Sequence, residues 1–297
     1  MEYKGVLVLC FHRISDEYSP SYPPIPTKVF DQICFFISRN FHVIHPNEIL
    51  KKKITSKQSV LITFDDAFLD FKINALPILE KYNLPVLQHI ITDCADTGDT
   101  FWTQRLNKII EAYYFEKKNF SIPEIGFNSV FNNFQNLEKT SLKILKELLL
   151  IEKKKRNEII FNLEIKLKNK IKHTPMLVWD DIKVINKNKN VVFGSHTKTH
   201  ENLILLDEME ITKELILSKK KFESNLGEVD ELFLAYPNGQ YNDLICDIAK
   251  KLNYTTAFTT VSAKYNDQSV FQIPRVLVYH KTWLKNFVYL NYMNFKL

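Results

Sequence analysis

Long apolar runs are missing from this 297-residue chain, and no uninterrupted stretch approaches the roughly 18 residues that a membrane-spanning helix needs. The opening residues, Met1 to Cys10, lack the basic region and cleavable apolar segment of an export signal, so neither a span nor Sec export is expected. Cysteine is scarce and scattered. The four, Cys10, Cys34, Cys94 and Cys246, form no CxxC pair, and three sit in apolar runs where a reduced thiol acts as a small hydrophobe. A disulfide scaffold and a zinc ribbon are therefore excluded. Arginine occurs only at 13, 39, 105, 156 and 275, so an Arg beside a motif is more informative than a Lys. No internal repeat or low-complexity linker interrupts the chain.

What is present is enough to bury a core: 45% of residues are hydrophobic, 13% aromatic and 25% charged, the balance of a globular chain. The formal charge of +6 comes in lysine-rich clusters at 51–53, 153–156 and 219–221. Aromatic residues do not interleave with these clusters, which fall where solvated helix faces and loops are expected, so no nucleic-acid partner is expected.

Short aliphatic runs alternate with amphipathic stretches, the pattern of a parallel α/β sheet or barrel. Seven strands are expected, at Val6–Phe11, Val60–Phe64, Val86–Ile91, Val191–Phe193, Leu232–Ala235, Thr255–Thr259 and Val276–Val278. Helices are expected over Thr27–Asn40, Leu69–Asn83, Asp207–Leu226 and Asn242–Leu252; in the third, Asp207 caps and Ile211, Leu215, Ser218 and Phe222 share a face. Residues from about 97 to 174 break the alternation. They read as a largely helical insertion, with a Leu- and Lys-rich stretch at Leu137–Lys155, forming a cover on a single domain spanning 1–297.

Polar residues gather where these strands end: His12, then Asp65 and Asp66, then His196, then the turn Tyr236-Pro237-Asn238-Gly239. In parallel sheets and barrels, loops converge over that edge and build sites there. Asp65 and Asp66 end an apolar strand, and two buried acids require a metal, a cation or solvent; alone, they read equally well as a helix cap and a surface acid. His196 and His200, four apart in Gly194-Ser195-His196-Thr197-Lys198-Thr199-His200, can ligate one ion, although an isolated HxxxH is a weak signal. Together the two motifs offer His, His and carboxylate ligands plus a spare carboxylate, the requirement for metal-assisted hydrolysis.

These residues resemble the polysaccharide deacetylases, carbohydrate esterase family four. Thr63-Phe64-Asp65-Asp66 matches the family's T-F-D-D motif, and His196-Thr197-Lys198-Thr199-His200 its H-[ST]-x-x-H motif. The likeness extends to Val8–Ile14, Phe101-Trp102, Met176–Asp180, Ala235–Gly239 and Ile273-Pro274-Arg275. It implies an irregular seven-stranded (β/α) barrel, a divalent metal, zinc above all, held by Asp66, His196 and His200, and Asp65 as general base. It implies removal of an N-acyl group, acetyl above all, from an amino sugar. Without an export signal, the expected substrate is a lipid- or nucleotide-linked saccharide of surface-polysaccharide or lipopolysaccharide assembly. It is met in the cytoplasm or at the inner membrane face, where peripheral contact is expected.

Three departures stand out. Ala67 replaces the usual Gly after Asp-Asp; Ala235 stands where the family has the Arg that pairs with the base, leaving Arg275 to take its place; and the distal tryptophan motif is not recognisable. The acid that protonates the leaving amine is expected to be His12 or His280. A backbone N–H near Asn238 is expected to help hold the oxyanion, with Tyr236 lining the pocket or filling the strand end. Trp179 reads as packing, and Trp102 as packing or a sugar platform. His42, His45, His89 and His173 match no motif and are assigned to surface or core. Two rivals remain: a deformylase or other amide hydrolase of the same fold, and a carbohydrate-binding member without catalysis.

Overall fold

A computed structural model of the chain describes residues 5–50, 58–130, 137–167, 171–228, 231–265 and 269–296; the lysine cluster at 51–53 lies outside them. In chain order come β1 (Val6–Phe11), α1 (Thr27–Asn40), β2 (His42–Val43), β3 (Ser59–Phe64), α2 (Leu76–Lys81), β4 (Val86–Ile90) and α3 (Thr92–Thr97). Next are α4 (Trp102–Phe115), the strands β5 (Asn119–Ile122) and β6 (Phe127–Val130), α5 (Leu137–Leu149) and α6 (Lys153–Lys166). The chain continues through α7 (Trp179–Ile185), β7 (Val191–Ser195), α8 (Glu208–Leu226), β8 (Phe233–Ala235), α9 (Asp243–Lys251), β9 (Thr256–Phe258), β10 (Val276–Leu277) and α10 (Trp283–Lys296).

Two compact units result. The larger comprises the stretches up to Asp16, Ile25–Gly98 and from Met176 onward. It holds a parallel sheet in the order β10-β1-β3-β4-β7-β8-β9, with β2 also paired to β3. Curled, with helices around it, this sheet is a deformed (β/α) barrel. It has one strand more than expected, because β2 is only His42 and Val43 and two residues leave no alternation to read. Its strands are apolar runs buried on both faces, as parallel strands must be.

Alternation assigns the two faces. Leu7, Leu9 and Phe11 of β1, Val60, Ile62 and Phe64 of β3, and Val86 and Ile90 of β4 join the core shared with the helices. Val6, Val8, Leu61, Leu87, Phe233, Ala235 and Phe258 form the second core, on the opposite face. Because side chains alternate with period two, Cys10, Thr63 and His89 also face that inner side. The ladder pairs Cys10 with Thr63 and His89 with Gly194. Inner-facing polar side chains thus lie level with one another at the strand ends.

The expected helices form with local differences. Over Leu69–Asn83, a π-helical segment at Phe71–Ala75 precedes α2, whose Pro77 has no N–H to donate. In α8 the predicted cap is complete: Asp207 accepts from the Glu210 N–H at 2.8 Å and Glu210 accepts from the Asp207 N–H at 3.2 Å. Ile211, Leu215, Ser218 and Phe222 are its buried face.

The second unit comprises Asp99–Pro175 and, unforeseen, Glu17–Pro24. It has its own core, from Trp102, Leu106 and Ile109 of α4 to Phe120, Ile144 and Ile160. Glu111 ties in the distant segment, accepting from Ser19 Oγ at 2.8 Å and Ser21 Oγ at 2.6 Å. The Leu137–Lys155 stretch is not one helix, since α5 stops at Leu149 and α6 begins at Lys153.

Candidate active site

Asp65 is the most heavily engaged side chain at the strand ends. Its Oδ1 accepts from Arg275 Nη1 at 2.8 Å and lies 2.8 Å from His89 Nδ1, and its Oδ2 accepts from Arg275 Nη2 at 2.7 Å. Cys10 Sγ approaches Oδ2 at 3.5 Å. Arg275 is fully buried and spends its Nε on the Thr259 carbonyl at 2.9 Å. The scarce arginine therefore does stand against the base candidate. Burial alone would raise the Asp65 pKa, but the Arg275 guanidinium overrides it, helped by His196 and His89, and holds the carboxyl well below the usual range.

Beside it, Asp66, His196 and His200 bring one ligand atom each to within 4.8 Å of one another. His196 Nε2 lies 3.5 Å and His200 Nε2 3.6 Å from Asp66 Oδ1, a buried atom with no hydrogen-bond partner among the described residues. His196 Nδ1 lies 2.8 Å from the Ala235 carbonyl, which can only accept, so Nδ1 carries the hydrogen and the Nε2 lone pair faces Asp66. Burial lowers His196 to about 4, and burial with the neighbouring His196 holds His200 well below its ordinary value. Both rings therefore keep their lone pairs at neutral pH. Burial and the adjacent Asp65 push Asp66 well above the carboxylate range. An orphaned carboxylate oxygen facing two imidazole lone pairs fits a divalent cation, whose charge would hold Asp66 ionised. Two imidazoles and one carboxylate with an open side are a donor set suited to zinc.

The loop that carries the histidines is braced from α8. Glu214, buried, accepts from the Lys198 and Thr199 N–H groups at 3.1 and 2.8 Å and from Thr199 Oγ1 at 2.6 Å. Thr197 N–H donates to Ser195 Oγ and His200 N–H to Thr197 Oγ1. Asp66, Ala67, Thr197 and His200 all have left-handed backbones, with φ of 72°, 63°, 65° and 60°. The Ala at the usual Gly position thus sits where a Cβ is costly.

His12, half-buried, groups with Cys10 and Asp65, ligand atoms again within 4.8 Å of one another. This cluster does not fit a second metal, because the Arg275 guanidinium already occupies both Asp65 oxygens and burial keeps Cys10 a neutral thiol. The structure separates the two candidate acids. His280 packs against Tyr279, tilted, and edge-on against Tyr289, ring centroids 4.4 and 5.6 Å apart. Among the described residues, no hydrogen bond or ion pair links it to Asp65, Asp66, His196 or His200.

Tyr236, of its two readings, fills the strand end and does not line a pocket. One step past the inner-facing Ala235, alternation turns it outward into the helix-facing core, where its hydroxyl donates to the Phe271 carbonyl at 3.1 Å. Its N–H is taken by the Phe258 carbonyl. Asn238 is exposed, at φ 58° in a 3-10 turn, and among the described residues no partner occupies its N–H. The next residue must be glycine, since a Cβ on Gly239 would lie 2.5 Å from the Thr260 nitrogen.

Trp179 packs on Phe222 with its Nε1–H on Asp96, and Trp102 lies in the second unit's core under the Arg156 guanidinium. Both are packing residues. His42, His45 and His173 also take no part in the centre. His89 does, contrary to its assignment to surface or core. The signal was its parity: His89 shares the inner face of β4 with Leu87 and pairs with Gly194 in the ladder.

The model of the polysaccharide deacetylase family matches residues 130–257, a span that holds His196 and His200 but not Asp65 and Asp66. A comparison with curated protein sequences finds no match. Among solved structures, the Streptococcus pyogenes deacetylase PplD in complex with acetate is similar over 96% of this chain and 97% of its own, at 18% identity and a TM-score of 0.63. IcaB from Ammonifex degensii is similar over 95% and 94%, at 19% identity and 0.59. The de-N-acetylase from Aggregatibacter actinomycetemcomitans is similar over 95% and 99%, at 13% identity and 0.55. The likeness in fold thus spans nearly the whole chain and reaches the T-F-D-D segment that the family model leaves out.

Proposed function

We propose that this chain, which resembles the polysaccharide deacetylases in motif, family model and fold, hydrolyses an N-acetyl group from an amino sugar with the help of a divalent cation, zinc for choice. One observation carries the reading: a buried, ionised carboxylate that is not itself in the triad stands beside it, Asp65 Oδ2 lying 3.9 Å from His196 Nε2. A pure binding module has no need of that second carboxylate. Bound by Asp66, His196 and His200, the cation supplies Lewis acidity to the amide carbonyl and to the attacking water.

The remaining steps belong to the chain's own groups. Asp65 takes the water's proton at Oδ2, and Arg275 keeps Asp65 ionised and in place until it does. The Asn238 N–H donates to the oxygen that gains negative charge. An amide nitrogen leaves only once protonated, and His12, grouped with Asp65 at this edge, delivers that proton at its ring. Burial lowers its pKa and so reduces the share of ring that is protonated at rest, the nearby Asp65 charge opposes that lowering, and the imidazolium, once formed, is the stronger donor for it.

A saccharide carrying phosphate, through a nucleotide or a lipid, is the substrate class we favour. Fifteen of the forty basic residues but only ten of the thirty-four acidic ones lie in the second unit, which so carries +5 of the chain's +6. The same charge suits contact with an anionic membrane face, and a cytoplasmic site of action is part of this proposal. No helix among the described residues is long and apolar enough to cross a membrane. The test is acyl release from acetylated and formylated amino-sugar oligomers and their diphosphate-linked forms, before and after chelation and zinc return. Turnover on formylated sugars alone would favour the deformylase reading; none on any acyl sugar with zinc bound would overturn both.

A further inference from the structure

We infer that His89 is a positioning residue for the reaction, fixing the twist of the Asp65 carboxylate so that Oδ2 faces the Asp66–His196–His200 triad. The inference rests on the reading of Asp65 as general base.

A carboxylate can only accept, so the 2.8 Å contact with Asp65 Oδ1 places the hydrogen on His89 Nδ1. That atom's second neighbour is the Phe64 carbonyl at 3.3 Å. Nε2, at the other end of the ring, is buried and without a partner among the described residues. The imidazole is fully buried, its ring centroid 5.3 Å from that of Phe258. For packing alone an apolar ring would serve better, because a buried nitrogen with no partner costs its lost hydration. The contact to Asp65 is the compensating interaction.

Arg275 cannot do the same work alone. Its two nitrogens grip both oxygens in a planar fork, which sets the direction of the carboxylate but resists twist and slide along the fork weakly. His89 approaches Oδ1 from β4, off that fork, and fixes the remaining freedom. Oδ1 is then held by two strong donors. Oδ2 has Arg275 Nη2 and the weak thiol contact of Cys10 at 3.5 Å, and is the oxygen 3.9 Å from His196 Nε2. A proton is thus taken at the oxygen that has least to give up. The backbone has made room for the ring: a Cβ on Gly194 would stand 2.8 Å from His89 Cδ2 and 2.9 Å from the Phe233 carbonyl.

The test compares His89→Phe, which keeps a ring but no donor, with His89→Asn, whose amide N–H can stand near Nδ1. With an N-acetylglucosamine oligomer as probe and zinc bound, His89→Phe is expected to lose roughly 10–100-fold in kcat with KM and metal content unchanged, and His89→Asn to recover most of it. Crystal structures of the zinc-free proteins give a readout independent of turnover: in His89→Phe the carboxylate turns and Oδ2 leaves its place beside His196. A carboxylate unmoved in His89→Phe, or equal kcat losses in both variants that follow their melting temperatures, would overturn the role. If wild type proves inactive on the probe, the functional reading fails, and the crystal structures still decide whether His89 holds Asp65.

Discussion

Replacing Arg275 by Met removes a charge and keeps most of the volume, so its consequence can be worked from one pair. The guanidinium and the Asp65 carboxylate meet through contacts of 2.7 and 2.8 Å with both groups buried. Two charges about 4 Å apart attract by about 4 kcal/mol at an effective dielectric of about 20. Removing one partner of a buried pair costs about 3–5 kcal/mol, because the other charge stays behind uncompensated. For a chain of this size that is a fall of about 5–8 °C in melting temperature at neutral pH. The pH dependence gives a sharper signature. In the wild type the folded Asp65 pKa is depressed, so its contribution is fully present above the unfolded pKa of about 3.9 and is lost as pH falls through the folded value. In Arg275→Met burial dominates and the folded pKa rises above the unfolded one, so acid relieves the penalty. The stability gap between the two proteins is therefore widest near pH 7, narrows toward pH 4 as the variant's penalty is relieved, and closes only as pH falls through the wild type's depressed value. Urea unfolding of the zinc-free proteins across that range measures it, and the double variant with Asp65→Asn should recover part of the loss. A gap under about 1 kcal/mol, or one that does not change with pH, would refute the reasoning.

Further outcomes follow from the same geometry. Asp65→Asn should keep its metal while losing turnover by about 10²-fold or more, whereas Asp66→Ala, His196→Ala and His200→Ala should lose metal by elemental analysis; equal loss in all four would sink the division of roles. His12→Ala should lower kcat with metal intact, and His280→Ala should not, as steady-state kinetics on both would show. Glu214→Ala leaves the Lys198 and Thr199 amides without their acceptor and should weaken metal affinity by about 10–100-fold in competition with a chelating dye. Ala67→Gly relieves a left-handed Cβ worth about 1–2 kcal/mol but gives up a buried methyl of about 0.8 kcal/mol and about 0.5–1 kcal/mol of chain entropy; its unfolding free energy from urea titration should stay within about 1 kcal/mol of wild type.

The sheet and most of the centre were legible because a parallel strand announces itself as an apolar run and its site residues follow directly. Asp65, Asp66, His196 and His200 could be read that way, and Arg275 because arginine is rare here. What escaped depended on direction, not identity. His89 matches no motif and Tyr236 reads two ways, and it is alternation along β4 and β8 that sends the histidine inward and the tyrosine outward. The packing of Glu17–Pro24 with the second unit rests on hydrogen bonds to Glu111, ninety-odd residues away, which local pattern cannot carry. Glu214 carries no signal in the sequence, because it accepts from the backbone amides of Lys198 and Thr199, which have no signature of their own.

The left-handed backbone at Asp66 reaches beyond its own turn. Neighbouring residues of a strand belong to opposite faces, so a plain continuation of β3 would give the barrel interior one of its two acids and bury the other against the helices. Reversing the sign of φ at Asp66 and Ala67 breaks that bookkeeping just after Asp65, and two adjacent codons bring two carboxylates with different partners, Arg275 and His89 for one and the two histidines for the other, to the same strand end. A one-residue insertion within β3 would exchange inside for outside along the strand, whereas a change of length beyond Phe68, downstream of the reversal, leaves the pair in register. The site's tolerance for sequence change is therefore lopsided: stringent before the turn, relaxed after it.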